Sequence, residues 1–372
     1  MKITKVEALY FRLPEVKEQC DSGQDAIIVR VETDAGITGI GEVDSSPQAV
    51  KGVIEGPYSH TITSGLAHLL VGEDPFETEK LWYKMYEQNV YSGRRGIAVH
   101  AMSGIDMALW DIKGKALDMP VWKLLGGGFH KQIRCYASSL FGSTPAATRD
   151  KAQRFRDMGF NAVKFGWAPM GGDERTDIAL VSEARRGLGD EADLMIDAGL
   201  VWDAKTAIKR ARAFGDYNIF WLEEPLKPDD YEGYRRLSEA TDVRIAAGEE
   251  ESSRLSYLDL MDRGKIDIVQ VDLARCGGFT EGMKIASLAW DRGLSVANHG
   301  FTTYVNVAAA LHWLNAVPNA LICEFVAQEG TGLREILTRQ SFVAKEGMLS
   351  IPDEPGLGVE LNEDAIAKYR VS

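Results

Sequence analysis

Cysteine is scarce in this chain. Its 372 residues hold four, Cys20, Cys135, Cys276 and Cys323, scattered and without a Cys-x-x-Cys pair. That pattern offers no disulfide framework and reads as free thiols in a reducing cytoplasm. Positive charge is short as well: 42 Lys and Arg stand against 55 Asp and Glu, a net charge of −13. This balance argues against nucleic acid or an anionic membrane surface as partner. It also means that an acidic substrate would need a metal or a positioned lysine to reverse the local field. No uncharged run reaches the length of a membrane span. The stretch Met1-Lys-Ile-Thr-Lys-Val-Glu7 has no signal-peptide apolar core, so the expected location is the cytoplasm. Low-complexity tracts and close repeats are absent too. What remains is ordinary globular composition, 45% hydrophobic and 26% charged, at a length suited to two domains or one barrel with additions.

The pattern along the chain changes once. Lys2–Phe11, Ala26–Thr33 and Thr38–Val43 alternate as strands, with Asp34-Ala-Gly36 as the turn of a small antiparallel meander. Helical spacing follows over Pro75–Tyr86, behind a proline suited to a first turn, and over His100–Leu117. Pro120–Gly128 closes this region. From about Lys131, strands and helices alternate strictly. The strands are Ile133–Ala137, Ala162–Gly166, Leu194–Asp197, Ile219–Glu223, Arg244–Ala247, Ile268–Asp272, Ser295–His299 and Leu321–Glu324. Eight short strands with crossover helices predict an α/β fold of the TIM-barrel type. Beyond Glu324 an irregular tail is expected to pack back on the N-terminal region.

In such barrels the chemistry sits at the C-terminal ends of the strands. Read in order from the second strand, those ends carry Lys164, Asp197, Glu223, Glu249, Asp272, His299 and Glu324. Asp197, Glu223 and Glu249 are spaced 26 residues apart, about one strand–helix unit with its loops. Three carboxylates delivered to one rim describe a divalent-cation site, Mg²⁺ before Zn²⁺. Glu224 and Glu250 compete for the same role, but strand side chains alternate, so the first of each pair is taken as inward and the second as the start of a loop. His299, with Asp272 one strand away, reads as a general base whose tautomer the carboxylate fixes. The other histidines have no comparable setting, and His312 reads as structural.

At these residues the chain resembles the mandelate racemase-like branch of the enolase superfamily. Asp106-Met-Ala-Leu-Trp-Asp-Ile-Lys-Gly-Lys115, Pro120-Val-Trp-Lys-Leu-Leu-Gly-Gly127, Glu223-Glu-Pro225, Gly248-Glu249 and the Asp272, His299, Glu324 pattern carry the resemblance over nearly the whole length. It implies a modified (β/α)7β barrel over residues 126–335. An α+β capping domain would span residues 1–125, with 336–372 packing back on it. It also implies a homo-oligomer, and abstraction of the proton α to a carboxylate. Superfamily enzymes pair a Lys or His base with Mg²⁺. Here Asp197, Glu223 and Glu249 would hold Mg²⁺. Lys164 would grip the substrate carboxylate, and Glu324, protonated or hydrogen-bonded with a raised pKa, would bridge to its other oxygen.

Two departures from the family pattern direct the functional expectation. Where many relatives have Lys-x-Lys, this chain has Lys164-Phe-Gly166, and where Asp-Ala-Asn is common it has Asp197-Ala-Gly199. One base, His299, can take the α-proton and return it to a leaving β-hydroxyl on the same face. The expected function is therefore an acid-sugar dehydratase, a hydro-lyase yielding a 2-keto-3-deoxy acid. A lactone cycloisomerase or epimerase is the alternative, and a non-catalytic sugar-acid-binding barrel is a third reading, against which the intact metal and His–Asp sets speak. Trp167 and the capping-loop residues Cys20, Asp21, Ser45 and Ser46 are the candidate substrate contacts.

Overall fold

A computed structural model describes residues 1–17, 23–327 and 332–371. Strands β1 (Ile3–Arg12), β2 (Asp25–Thr33) and β3 (Thr38–Val43) form an antiparallel sheet in that order. Helices α1 (Pro47–Glu55), α2 (Leu66–Leu70), α3 (Thr78–Asn89) and α4 (Ile97–Leu117) cover it. The apolar side of α4 (Ala101, Ile105, Ala108, Leu109, Ile112) packs with Val29 and Val43 of the sheet, as its spacing predicts. Pro75 does not open α3. Asp74 Oδ1 accepts from the Phe76 N–H at 3.0 Å, holding Pro75 in a turn before the helix starts at Thr78.

After α5 (Val121–Leu124) come eight parallel strands: β4 (Gln132–Leu140), β5 (Ala162–Gly166), β6 (Asp193–Asp197), β7 (Ile219–Glu223), β8 (Arg244–Ala247), β9 (Ile268–Val271), β10 (Ser295–Asn298) and β11 (Ala320–Val326). Pairing of β11 with β4 closes them into a barrel. Between successive strands run α6 (Pro145–Asp157), α7 (Glu174–Leu188), α8 (Ala204–Gly215), α9 (Tyr231–Ser238), α10 (Ser253–Asp259), α11 (Gly278–Trp290) and α12 (Tyr304–Ala316). This is the expected (β/α)7β barrel beside a capping domain. The chain marks many of these helix starts locally. Thr144, Asp173, Asp203, Asp230 and Thr303 each accept a backbone N–H of the following turn. Among the described residues no helix is long and apolar enough to cross a membrane.

The tail is more ordered than its sequence suggests. It holds α13 (Leu333–Ile336), α14 (Glu363–Tyr369) and β12 (Met348–Ser350), which pairs antiparallel with β4. At its end the Val371 N–H donates to the Tyr10 carbonyl at 2.8 Å, and Arg370 reaches Glu7 of β1 at 2.7 Å.

Buried carboxylates staple the capping domain to the barrel. Glu42 of β3 accepts the Thr303 N–H (3.1 Å), its hydroxyl (2.6 Å) and the Asn306 N–H (2.9 Å) at the start of α12. Asp106 of α4 accepts the N–H and hydroxyl of Thr280 in the first turn of α11. Each carboxylate thus answers the unpaired N–H groups and positive end of a barrel helix. Burial raises both to about 7. The two helices follow the strands that carry Asp272 and His299, so the staples tie the cap to the side of the barrel mouth where those residues stand.

Candidate active site

One residue from each barrel strand fills the interior: Tyr136, Ala162, Met195, Trp221, Ala246, Ile268, Ala297 and Ile322. Side chains along a strand alternate, so residues two further on also point inward, one layer closer to the rim. Those residues are Ser138, Lys164, Asp197, Glu223, Gly248, Gln270, His299 and Glu324. An apolar floor thus lies beneath a polar layer, and Trp221 links them, its indole N–H donating to Glu223 Oε2 at 2.9 Å. Gly248 breaks the alternation. Its φ of +134° is open to glycine, and the turn brings Glu249 rather than position 248 to the cleft.

The buried Lys164 ammonium stands among the carboxylates. It contacts Glu223 closely and lies 2.8 Å from Glu324 and 3.9 Å from Asp197. Burial would lower its pKa, but Glu223 and Glu324 outweigh this and hold it well above normal. Burial pushes Asp197 and Glu223 upward, and the charge of Glu249 adds to both. Buried acids that oppose one another across one ammonium form a hard-oxygen set short of positive charge. That donor set fits a divalent cation. Another group, Asp44, Asp272 and His299, has its donor atoms within 4.8 Å of one another. These atoms already serve each other: Asp272 binds the His299 ring and Asp44 binds Arg275. Glu223 is likewise engaged, by Lys164 and Trp221, so either set could hold a cation only by giving up present contacts, and the carboxylates of Asp197, Glu223 and Glu249 are not gathered as tightly among the described residues. Glu224, expected at the start of a loop, is buried behind them, bound to the Gly248 N–H and the Tyr234 hydroxyl. Glu250 is exposed.

His299 Nδ1 lies 2.7 Å from Asp272 Oδ2. Asp272 also accepts from the Ala274 N–H and Asn306 Nδ2. Burial would raise the Asp272 pKa, but His299 lowers it on balance, so the carboxylate accepts and the Nδ1–H donates. The Nε2 edge is 3.5 Å from Glu249 Oε2. Burial alone would lower the His299 pKa, but Glu249, Asp272 and Glu324 hold it at about 10. Glu324 corrects an expectation. Burial raises its pKa, yet Lys164 and His299 overcome this and bring it to about 2. Ser138 and the Gly300 N–H donate to its two oxygens at 2.8 and 2.7 Å. It is therefore an ionised anchor rather than a protonated bridge.

A cleft of about 280 Å³ opens over this layer. Trp167 lines it, half exposed, with φ +66°, a conformation costly for a bulky side chain and typical of functional rims. Its ring faces Gly199, where an added Cβ would come within 3.2 Å of it. Ser45 and Ser46 do not line the cleft. Ser45 turns to His100 Nδ1 at 3.0 Å, and Ser46 is exposed before α1. Cys20 and Asp21 lie outside the described residues.

The structure adds Asp44, Ser138 and Arg275 to the site, all lining the cleft. The inward period of β4 would have found Ser138. Arg275 sits in the loop after β9, where a charged residue reads as solvated. His100 lies between Ser45 and Ser252, outside the cleft lining. Burial and then Arg275 lower its pKa to about 4. His312 is buried and structural, accepting the Trp122 N–H at 3.3 Å.

The glycine at 166 now has a cause. A Cβ there would stand 2.7 Å from Asp197 Oδ2 and 2.8 Å from Asp197 Cβ. A side chain at this position would require Asp197 to shift. Gly166→Ala is expected to weaken divalent-cation binding about tenfold or more, since shifts around metal ligands cost roughly 10–100-fold. Calorimetric titration with Mg²⁺ checks this, and an unchanged affinity would show that Asp197 is free to move.

Two family models match the chain: "Mandelate racemase / muconate lactonizing enzyme, N-terminal domain" over residues 15–126 and "Enolase C-terminal domain-like" over residues 147–365. The D-galactarolactone cycloisomerase of Agrobacterium fabrum is 34% identical, covering 100% of this chain and 99% of its own. The D-galactonate dehydratase of Xanthomonas campestris pv. campestris is 33% identical over 92% of this chain and 90% of its own. A crystal structure of a racemase from Streptomyces coelicolor A3(2) with bound magnesium superposes with a TM-score of 0.87. It is 29% identical and the match covers 99% of this chain and 100% of that one.

Proposed function

The chain belongs to the mandelate racemase/muconate lactonizing enzyme family of the enolase superfamily, and from that premise we propose that this enzyme is an Mg²⁺-dependent acid-sugar dehydratase. One observation supports a one-base elimination over racemisation: position 166 is a glycine, where even a Cβ would stand 2.7 Å from Asp197 Oδ2, so it offers no second base beside His299.

A proton next to a carboxylate is very weakly acidic because its removal puts further negative charge on an anion. A magnesium ion held by Asp197, Glu223 and Glu249 would supply charge stabilisation at that carboxylate. Lys164 orients the carboxylate from the barrel side. His299 must first lose the ring proton that Glu249, Asp272 and Glu324 favour; the neutral imidazole, its Nδ1–H held by Asp272, then takes the proton from C2 at Nε2, and the electron pair enters the enediolate. Asp272 holds the resulting imidazolium. His299 then gives the proton to the C3 hydroxyl, the C–O bond breaks, and water leaves on the same face. The enol product tautomerises to a 2-keto-3-deoxy acid. Lys164, and His299 when charged, hold the Glu324 pKa low, which disfavours Glu324 as the proton donor.

A second reading, cycloisomerisation, is favoured by the full-length similarity to D-galactarolactone cycloisomerase. It uses the same base and differs in the leaving group, a ring oxygen in place of hydroxyl. A panel of aldonates, aldarates, their lactones and anhydro forms, monitored for 2-keto products and for water loss by mass, tests both. Dehydration of an open-chain acid supports the first reading. Ring opening without mass change supports the second. Exchange or racemisation at C2 with neither event would refute both.

A further inference from the structure

The chain turns sharply after β9. The Asp272 carbonyl accepts the Arg275 and Cys276 N–H groups at 3.0 and 2.8 Å, which fixes the Arg275 backbone against the residue that binds His299. From there the Arg275 side chain, about one-fifth exposed, reaches three parts of the site. Nη2 donates to Asp44 Oδ2 at 2.8 Å, just beyond β3 of the capping domain. Nη1 donates to the Glu249 carbonyl at 3.3 Å, on the turn that Gly248 opens after β8. Nε stands 3.8 Å from Asp272 Oδ2, the oxygen that binds His299 Nδ1, and Nη1 is 3.9 Å from Glu249 Oε1. A backbone tie runs alongside, the Asp44 N–H donating to the Ala274 carbonyl at 3.4 Å.

A guanidinium is planar, with its donors at fixed angles. Once Asp44 and the Glu249 carbonyl each take a donor, the orientation of the group is set, and Asp44, Glu249 and Asp272 move together or not at all. Its charge also separates three carboxylates that would otherwise repel one another in a partly dehydrated wall. Arg275 thus fixes two groups that the proposed reaction uses, Asp272 behind the base and Glu249 in the cation set, through contacts that need no substrate. Groups that orient a metal ligand in this way act on metal affinity and on rate.

We propose that Arg275 is a positioning residue for proton abstraction at C2, aligning Asp272 with the Glu249 turn and fastening both to the capping domain at Asp44. The inference rests on the acid-sugar reading above.

The test uses Arg275→Met, which keeps most of the side-chain length and removes the charge and the donors. On the best substrate of the acid-sugar panel, with saturating Mg²⁺, it reads kcat and KM separately, and Mg²⁺ affinity is measured by calorimetry. Thermal melts report the folded fraction, and Arg275→Gln is the second variant should the first fold poorly. The expected result is a loss of about 10–100-fold in kcat with KM within about threefold, and Mg²⁺ affinity weakened about tenfold. Asp44→Ala is expected to lose about fivefold by itself and to add less than about twofold to Arg275→Met, because the link is already broken. A salt bridge that only held the two domains together would lower the melting temperature and leave kcat of the folded variant within about threefold of wild type. That result overturns the inference. A loss confined to KM also overturns it and makes Arg275 a substrate contact, and losses that multiply in the double variant overturn the link to Asp44. An unchanged Mg²⁺ affinity overturns the Glu249 half. In each of these cases the acid-sugar reading stands. If the wild-type enzyme turns over no acid sugar, that reading fails and takes the inference with it.

Discussion

His299→Asn is expected to lose about 10³–10⁴-fold in kcat on the best substrate from the acid-sugar panel, at the upper end of what a positioned general base contributes. The size follows from the geometry. In the proposed mechanism Nε2 is the base, and Gly166, which also lines the cleft, offers no side chain to act as a second one. No second base takes over, and the same imidazole is needed to protonate the leaving group, so both proton transfers fail together. The amide can still donate to Asp272, which limits disturbance of the loop after β10. The check is steady-state kinetics together with exchange of the C2 proton for deuterium, with Mg²⁺ titration as the control for an intact metal set. Both turnover and exchange should fall. A variant that keeps more than about a tenth of wild-type turnover would remove His299 from the role of base.

Removing divalent cations is expected to reduce turnover to background, with recovery on adding Mg²⁺. The substrate carboxylate enters a layer that already holds Asp197, Glu223, Glu249 and Glu324 against one ammonium, and without further positive charge the dianionic intermediate is too costly there. Binding should also stabilise the fold by about 2.7 kcal/mol when free Mg²⁺ is a hundred times its Kd. Dialysis against chelator, thermal melts across a Mg²⁺ series and calorimetric stoichiometry measure this. The ligand assignment has its own contrast. Glu249→Gln should abolish the calorimetric signal, whereas Asp44→Asn should leave it in place. The reverse pattern would move the metal to Asp44, Asp272 and His299. Full activity in chelator would sink the metal-dependent reading altogether.

Much of the barrel was legible because its signals are local. A buried parallel strand is an apolar run that ends where polar loop begins, and a helix after it starts on a Thr or Asp cap. Lys164, Asp197, Glu223, Glu249, Asp272 and His299 could be picked out by position for that reason. Period-two alternation also chose Glu223 over Glu224. It did not show that Glu224 would be buried against Gly248 and Tyr234, because strand pattern gives direction and says little about what lies behind the rim.

The sequence by itself determined the order of elements, the ionisable residues at the ends of the second to eighth barrel strands and the lack of a second lysine after Lys164. Each is a property of residues close together in the chain, where backbone sterics and side-chain alternation leave few choices. The tertiary structure decided what those residues do to one another. Glu324 became an ionised anchor because Lys164 and His299, far away in sequence, outweigh the effect of its burial. Gly166 acquired a reason when β6 brought the Asp197 carboxylate against it. Asp44 and Arg275, both readable as solvated loop charges, became a wall of the cleft when the capping domain closed on the barrel. Charge interactions depend on distance and on how much water is excluded, and only the folded chain sets either.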